Sequence, residues 1–334
     1  MGDVAILPPV VETLRQDFSD LDITVLTRPL FQTFFRNAEG VKFISPDFEK
    51  QHKGLKGIFR LRKEIVRLGV THVADVHDVL RTRILRVLLR LSGIKIAVID
   101  KGRPEKRALT RKYHKYMVQL KPSYERYRDT ICELGFRMGD PKPAEHKPLP
   151  LPKEIENLTG AKQGKWVGFA PFAKHVGKIY PTTLSGDLTR LLADKFEHVF
   201  IFGGGAFEKE FAECMDDRYE NVHSVIGKLR LGEEMDLISD LDVIVTMDSA
   251  TMHIASLVGT PVVSVWGATH PFAGFYGIGQ NMDNAVQLNL PCRPCSVYGN
   301  KACMYHDYHC MHQIQPTAIF DKVIEVSNNT TSVK

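Results

Sequence analysis

Leu241–Pro271 reads LDVIVTMDSATMHIASLVGTPVVSVWGATHP, and the order of residue types in it decides the fold. Val243–Met247 is a short, β-branched apolar run, the pattern of a strand buried on both faces. Asp248 and Ser249 are good helix N-caps, and Met252, Ile254, Ala255 and Val258 then recur at helical spacing. Gly259 stops the helix, Pro261 opens the next strand, and Val262–Trp266 is again continuously apolar. A helix that starts at the carboxyl end of a parallel strand is where open α/β sheets bind ligands. Its free N–H groups and its dipole suit a phosphate. Caps after strands also occur in any α/β protein, so they mark architecture before they mark a site.

Working outward, the same alternation of strands and helices runs through the chain. In the first half, strands are expected at Ile23–Leu26, Val41–Ile44, His72–Val76 and Ile94–Ile99, with helices at Pro29–Arg36, Leu55–Leu68, Arg81–Leu91 and Tyr124–Leu134. Asp140–Glu154 holds five prolines and reads as a linker. A second α/β unit then starts at Trp166–Ala170, with strands at His198–Phe202 and Val222–Val225 before the opening stretch and a closing helix near Thr317–Val326. The expected domains are 1–145, a Rossmann-like domain for an acceptor; 155–312, a Rossmann-like domain for a nucleotide-bound donor; and 313–334, a helix and tail packing back on the first domain. Met1-Gly2-Asp3 begins without the strand that leads into the first Gly-Asp turn in the family it resembles, so the first strand is expected to be missing and the natural start to lie about a dozen residues upstream, with Met1 an internal methionine.

Composition narrows the function classes. Apolar residues make up 43% and charged residues 25%, as in ordinary globular chains, and no apolar run is long enough to span a membrane. The amino terminus has no cationic lead and two early prolines, which is not a signal peptide, so the expected location is cytoplasmic. The net charge of +5 is uneven: residues 81–121 hold thirteen Lys/Arg and two acids, while the rest holds 31 basic and 37 acidic residues. One basic block on an otherwise acidic chain suits an anionic partner, unless it is only a solvated helix face. No helix-turn-helix, RRM or KH signature supports nucleic acid.

The order D-S-x-x-x-H-I-A, G-T-P, W-G-A-T-x-P in Asp248–Pro271 resembles the donor-site signature of glycosyltransferase family 9, the heptosyltransferases of lipopolysaccharide assembly, and the resemblance extends more weakly over nearly the whole chain. It implies a GT-B fold, two Rossmann-like doubly wound domains facing a cleft, and an inverting glycosyltransferase that needs no metal or other cofactor. The implied donor is a nucleotide-sugar, ADP-heptose; the implied acceptor is a lipid A-core glycolipid at the inner face of the cytoplasmic membrane, where the enzyme would sit peripherally. Lys178-Ile179-Tyr180-Pro181 resembles the family's K-x-W-P element, which places Lys178 on the donor phosphates, with Lys174 as a second cation where the family often has hydroxyls. Gly203 and Gly204, in the glycine turn after His198–Phe202, would let the backbone approach the nucleotide. Glu208 resembles the acid that binds the nucleoside, with Glu210 as its competitor. Asp248 would meet the donor hydroxyls, and Ser249 and Ala250 the diphosphate. His253 reads as a structural histidine inside the helix, and Thr269 and His270 could close the site.

The resemblance puts the catalytic base on Asp3, in the amino-terminal Gly-Asp turn, with Asp75 and His77 in reserve. Lys101, Arg103, Lys106, Arg107 and Arg111 would sit on the first domain and receive the phosphorylated acceptor or the membrane surface. Cys292, Cys295, Cys303 and Cys310, interleaved with histidines, leave three readings open: packed thiols, a structural zinc or other metal, and a disulfide. Two rival functions also stand: a non-catalytic sugar-nucleotide or glycolipid binding protein, and a GT-B enzyme of another type such as a UDP-sugar epimerase.

Overall fold

The computed structural model describes residues 1–331, and the chain divides into two compact units. The first comprises Met1, 3–103 and 121–142; the second comprises Gly2, 104–120 and 143–334.

In the first unit the helices are α1 (Gly2–Ala5), α2 (Pro8–Asp17), α3 (Gly54–Arg67), α4 (Leu80–Arg90), the beginning of α5 (Arg103–Thr110) and α6 (Ser123–Cys132). The strands are β1 (Thr24–Leu26), β2 (Lys42–Ile44), β3 (His72–Asp75) and β4 (Lys95–Val98). β1 pairs with β2 and β3 with β4, both in parallel. Where one doubly wound sheet was expected, the described strands form two separate pairs. Two apolar clusters pack against the β3–β4 pair. Ile6, Val10 and Leu14 meet Ile99, Tyr127 and Ile131, and Ile58, Leu61 and Ile65 meet Leu85, Leu89 and Ile94. The 3.6-residue spacing of leucines and isoleucines in α3 and α4 puts them on one stripe, which is what lets two arginine-rich helices bury a face.

The second unit is built on one six-stranded, wholly parallel sheet: β5 (Trp166–Ala170), β6 (His198–Ile201), β7 (Val222–Ser224), β8 (Val243–Met247), β9 (Val262–Trp266) and β10 (Ala285–Gln287), in the order β10-β9-β8-β5-β6-β7. β5, β8 and β9 are buried at every residue, as continuous apolar runs require. Its helices are the rest of α5, α7 (Lys153–Thr159), α8 (Thr182–Ala193), α9 (Ala206–Asp216), α10 (Leu231–Asp240), α11 (Ala250–Leu257), α12 (His309–His312) and α13 (Pro316–Thr331). α8 and α13 pack on each other, while α11 packs on α10, β8 and β9. Trp166 and Trp266 are fully buried; each ring removes roughly 200 Å² from water, an upper figure of about 5 kcal/mol before entropy. Gly259, at φ +74°, ends α11 in the left-handed region, and a Cβ there would stand 2.5 Å from the Glu145 carbonyl carbon.

Three differences from the sequence reading have clear causes. α13, expected to pack back on the first domain, buries Ile319, Val323 and Val326 in the core of the second unit. Residues 104–120 group with the second unit because Leu109 and Leu120 bury against Ala273, Phe272 and Phe275, and the Leu120 amide donates to the Phe272 carbonyl at 2.9 Å. α7 forms at the end of the proline-rich segment, since Pro152 at its N-cap is compatible with a helix start.

Candidate donor site at the carboxyl ends of the second sheet

From β5 the chain winds outward to β6 and β7 on one side, and from β8 to β9 and β10 on the other. The order therefore reverses between β5 and β8, and the crevice at that switch point is the default ligand site. Lys178, in the turn after β5, and Asp248, directly after β8, meet there: Nζ lies 3.4 Å from Oδ2, with the two side chains 14% and 8% exposed.

Several contacts fix Lys178. The Ala268 amide donates to the Gly177 carbonyl at 2.9 Å, and a Cβ on Gly177 would come within 2.9 Å of the Ala268 Cβ. The stem of Lys178 runs across Gly299, whose added Cβ would stand 2.5 Å from the lysine Cγ. Tyr180 is fully buried; its hydroxyl donates to the Ile314 carbonyl at 2.7 Å, and burial pushes its ionisation well up. Gly299 in turn donates to the Ser296 hydroxyl at 2.9 Å, and the Cys295 and Ser296 amides donate to the Ala268 carbonyl. The segment 292–299 is thus an outer wall for the lysine.

Polar atoms in this region lack partners. The hydroxyls of Thr246, Ser249 and Thr269 are buried with no hydrogen bond among the described residues. Ser249 occupies the N-cap of α11 in extended backbone, yet its side chain makes no cap bond. Each such hydroxyl costs about 1–3 kcal/mol unless something outside the chain satisfies it. Ala250 is the first residue of α11, so the amide groups beside it are the unpaired donors of a helix start.

The glycine turn after β6 is closed from within. Glu208 accepts from the Gly204 amide at 2.7 Å, and a Cβ on Gly203 would stand 2.7 Å from the Glu208 Oε2. One carboxylate oxygen of Glu208 is therefore committed to the turn. Lys174 and Glu210 are solvent-exposed. His253 is buried in α11. His270 accepts from the Phe272 amide through Nδ1, and burial together with the charge of Arg293 holds its pKa down to about 4.

Among the first-unit candidates, Asp3 is exposed in α1, and its carbonyl accepts from the Tyr127 hydroxyl at 3.2 Å. Asp75 is committed elsewhere: it accepts from the amides of His77 and Asp78 and from Arg86 at 2.8 Å. It is therefore removed as a reserve base. Asp78 binds Arg83, Arg86 and Arg103, and those guanidiniums hold its carboxyl far below the usual range. Arg103 is thereby tied to Asp78 at 2.8 Å, and Lys101 is half-buried. Lys106 is buried with its Nζ 4.3 Å from the Phe275 ring centroid, while Arg107 and Arg111 are exposed. Lys106, Arg107 and Arg111 group with the second unit, and Lys101 and Arg103 with the first.

All six cysteines are free, which sets aside the disulfide. Cys292, Cys295, Cys303 and Cys310 line one cavity with Arg293 and His309. Among the described residues no three His, Cys, Asp or Glu side chains stand close enough together to hold a metal ion. Burial pushes the Cys295 thiol up and the Cys310 thiol to about 11. Arg293, which no motif flagged, is buried beneath this loop. A lone arginine between cysteines has no periodicity to reveal it.

Comparison with known proteins bears on the family and the fold. The sequence model described as glycosyltransferase family 9 (heptosyltransferase) matches residues 58–306. The chain is 20% identical to lipooligosaccharide heptosyltransferase 2 of Campylobacter jejuni subsp. jejuni serotype O:6, covering 98% of this chain and 96% of that one. A family 9 glycosyl transferase from Veillonella parvula superposes with a TM-score of 0.75 at 16% identity, covering 98% and 95%. The E. coli ADP-heptose lps heptosyltransferase II superposes at 0.66, also at 16% identity, covering 98% and 96%. The shared fold is GT-B.

Proposed function

The chain belongs to glycosyltransferase family 9, and on that footing we propose that it transfers a heptose from ADP-heptose, with inversion, to the inner core of a lipopolysaccharide or lipooligosaccharide. The observation that carries this is the Lys178–Asp248 pair at the switch point, beside the unpartnered Ser249 hydroxyl. The similar proteins support heptose and ADP: one is a lipooligosaccharide heptosyltransferase and another an ADP-heptose heptosyltransferase.

In this mechanism the acceptor hydroxyl oxygen bonds to the anomeric carbon of the donor, and the bond from that carbon to the diphosphate breaks with its electron pair leaving on ADP. Lys178, with Lys174 at the rim, faces the charge that grows on the departing diphosphate, and the Ser249 hydroxyl and the first amides of α11 donate to it. Such preorganised groups lower the barrier because they are aimed at developing charge. Asp248 balances Lys178 before the donor binds, then takes donor hydroxyls as the diphosphate claims the lysine. Gly203 and Gly204 line the nucleotide, with the free oxygen of Glu208 toward the nucleoside. Asp3 takes the acceptor proton, and Arg107, Arg111 and Lys101 meet acceptor phosphates. The reaction as proposed uses no metal, and the enzyme works at the cytoplasmic face of the inner membrane. No described helix is long and apolar enough to cross a membrane.

The test is a donor panel. Thermal shift with ADP-, GDP-, UDP- and TDP-sugars should single out ADP-heptose, and mass spectrometry should find one heptose added to a heptose-deficient core acceptor. Donor binding with neither transfer nor hydrolysis would favour a non-catalytic binding protein. Preference for a UDP-sugar would move the chain to another GT-B activity.

A further inference from the structure

Buried charges near the two described networks are answered by opposite charges. Arg86 faces Asp75 and Asp78, and Lys178 faces Asp248. Arg293 is different. It is 5% exposed, and its guanidinium donates to the carbonyls of Gly267, Leu288 and Thr269 and to the Gln287 side-chain oxygen, the last two at 3.0 Å. All four acceptors are neutral. The cavity it lines also holds thiols of the cysteine loop, of which Cys295 and Cys310 are held in their protonated form by burial. A buried cation without an anion carries a large desolvation cost that neutral hydrogen bonds offset only in part.

Two further observations say where that charge acts. Gly267–Thr269 follows β9, next to the Lys178 turn through the bond from Ala268 to Gly177, and the Thr269 hydroxyl is fully buried with no partner among the described residues. The positive field of Arg293 also reaches the next residue, since it is one of the causes that keep His270 neutral.

We propose that Arg293 is a positioning residue for the donor diphosphate: it fixes the Gly267–Thr269 turn through backbone carbonyls, and its unanswered charge makes that turn a seat for an anion. The anion is the diphosphate of the nucleotide-sugar, so the inference rests on the donor-site reading above. Arg293 itself need not touch the ligand. The Thr269 hydroxyl is the group through which the turn donates.

Gln287→Glu tests this without removing the guanidinium. The change keeps the shape of the side chain and places a carboxylate 3.0 Å from Arg293, answering its charge. Isothermal titration would compare the nucleoside diphosphate that binds the wild-type protein best, among ADP, GDP, UDP and TDP, with its own nucleoside. The expected result is diphosphate binding weakened about tenfold, the scale of one unit charge acting through several ångströms of protein, with nucleoside binding and melting temperature unchanged or the latter raised. Arg293→Lys is the companion: it keeps the charge and loses the fork, so stability should fall as the turn loosens, while the ratio of diphosphate to nucleoside affinity should fall less than in Gln287→Glu. An unchanged ratio in Gln287→Glu, or a ratio that collapses equally in Arg293→Lys, would overturn the proposal. Wild-type protein that binds no nucleoside diphosphate at all would instead overturn the donor-site reading, and the inference with it.

Discussion

Replacing Lys178 by Met removes one charge from a nearly closed site while keeping the apolar stem that crosses Gly299. At 3.4 Å and an effective dielectric of about 20, Lys178 and Asp248 attract by about 5 kcal/mol, much of it cancelled by desolvation. The resting protein should nevertheless lose about 3 kcal/mol, because Asp248 is left buried and unpaired. For a unit of this size that is a fall of roughly 10 °C in melting temperature. Turnover should fall further than stability alone explains. A preorganised donor aimed at developing charge contributes about 10²–10³ in kcat, with a smaller change in KM. The decisive variant is Lys178→Met with Asp248→Asn: it removes both charges, so most of the lost stability should return while kcat stays low or falls further. Calorimetric melting and initial rates of ADP release, measured on the same preparations, separate the two effects. A Lys178→Met enzyme with kcat within threefold of wild type would refute the assignment of the lysine to the leaving group. A double variant no more stable than Lys178→Met would refute the ion-pair account of the resting state.

Other outcomes follow from the same structure. His223 bonds His198 at 2.9 Å, and burial, then the neighbouring His198, lower its pKa to about 4. Because the folded value lies below the free one, this contribution to stability is complete above about pH 6.5 and is lost as pH falls toward 4; melting curves from pH 7.5 to 4.5 should show a drop that His223→Asn flattens, with His270 supplying a similar but separate part. Tyr180→Phe deletes the bond to Ile314 and should cost about 1–2 kcal/mol in urea unfolding, together with a lower kcat as the Lys178 turn loosens; an unchanged urea midpoint would show that the bond does not hold the turn. Gly203→Ala would place a methyl 2.7 Å from Glu208 and 2.8 Å from Ile226, so donor KM should rise several-fold with a loss of about 1–3 kcal/mol; wild-type KM and stability together would mean that the turn gives way freely.

Much of this fold is legible because it is local. Trp166–Ala170, Val243–Met247 and Val262–Trp266 are apolar runs that only a doubly covered strand accommodates, and each forms a strand over those residues. Less periodic pieces were not visible: α10, β10 and α12 arise where mixed sequences are covered by tertiary neighbours. The basic residues 104–111 show the limit most plainly. Their charge reads directly, but which unit they join depends on Leu109 and Leu120 finding Phe272 and Phe275, over 150 positions away.

By itself the sequence determined the alternation of strands and helices, the family, and the residue types waiting at the strand ends, since these depend on spacing over a few residues. Only the tertiary structure decided that Lys178 meets Asp248, that Asp75 is held by Arg86, and that Arg293 lies buried without a carboxylate partner among the described residues. The physical reason is that pairing, burial and unpaired charge are properties of groups brought together from distant parts of a chain. No local pattern encodes which partner a side chain will find.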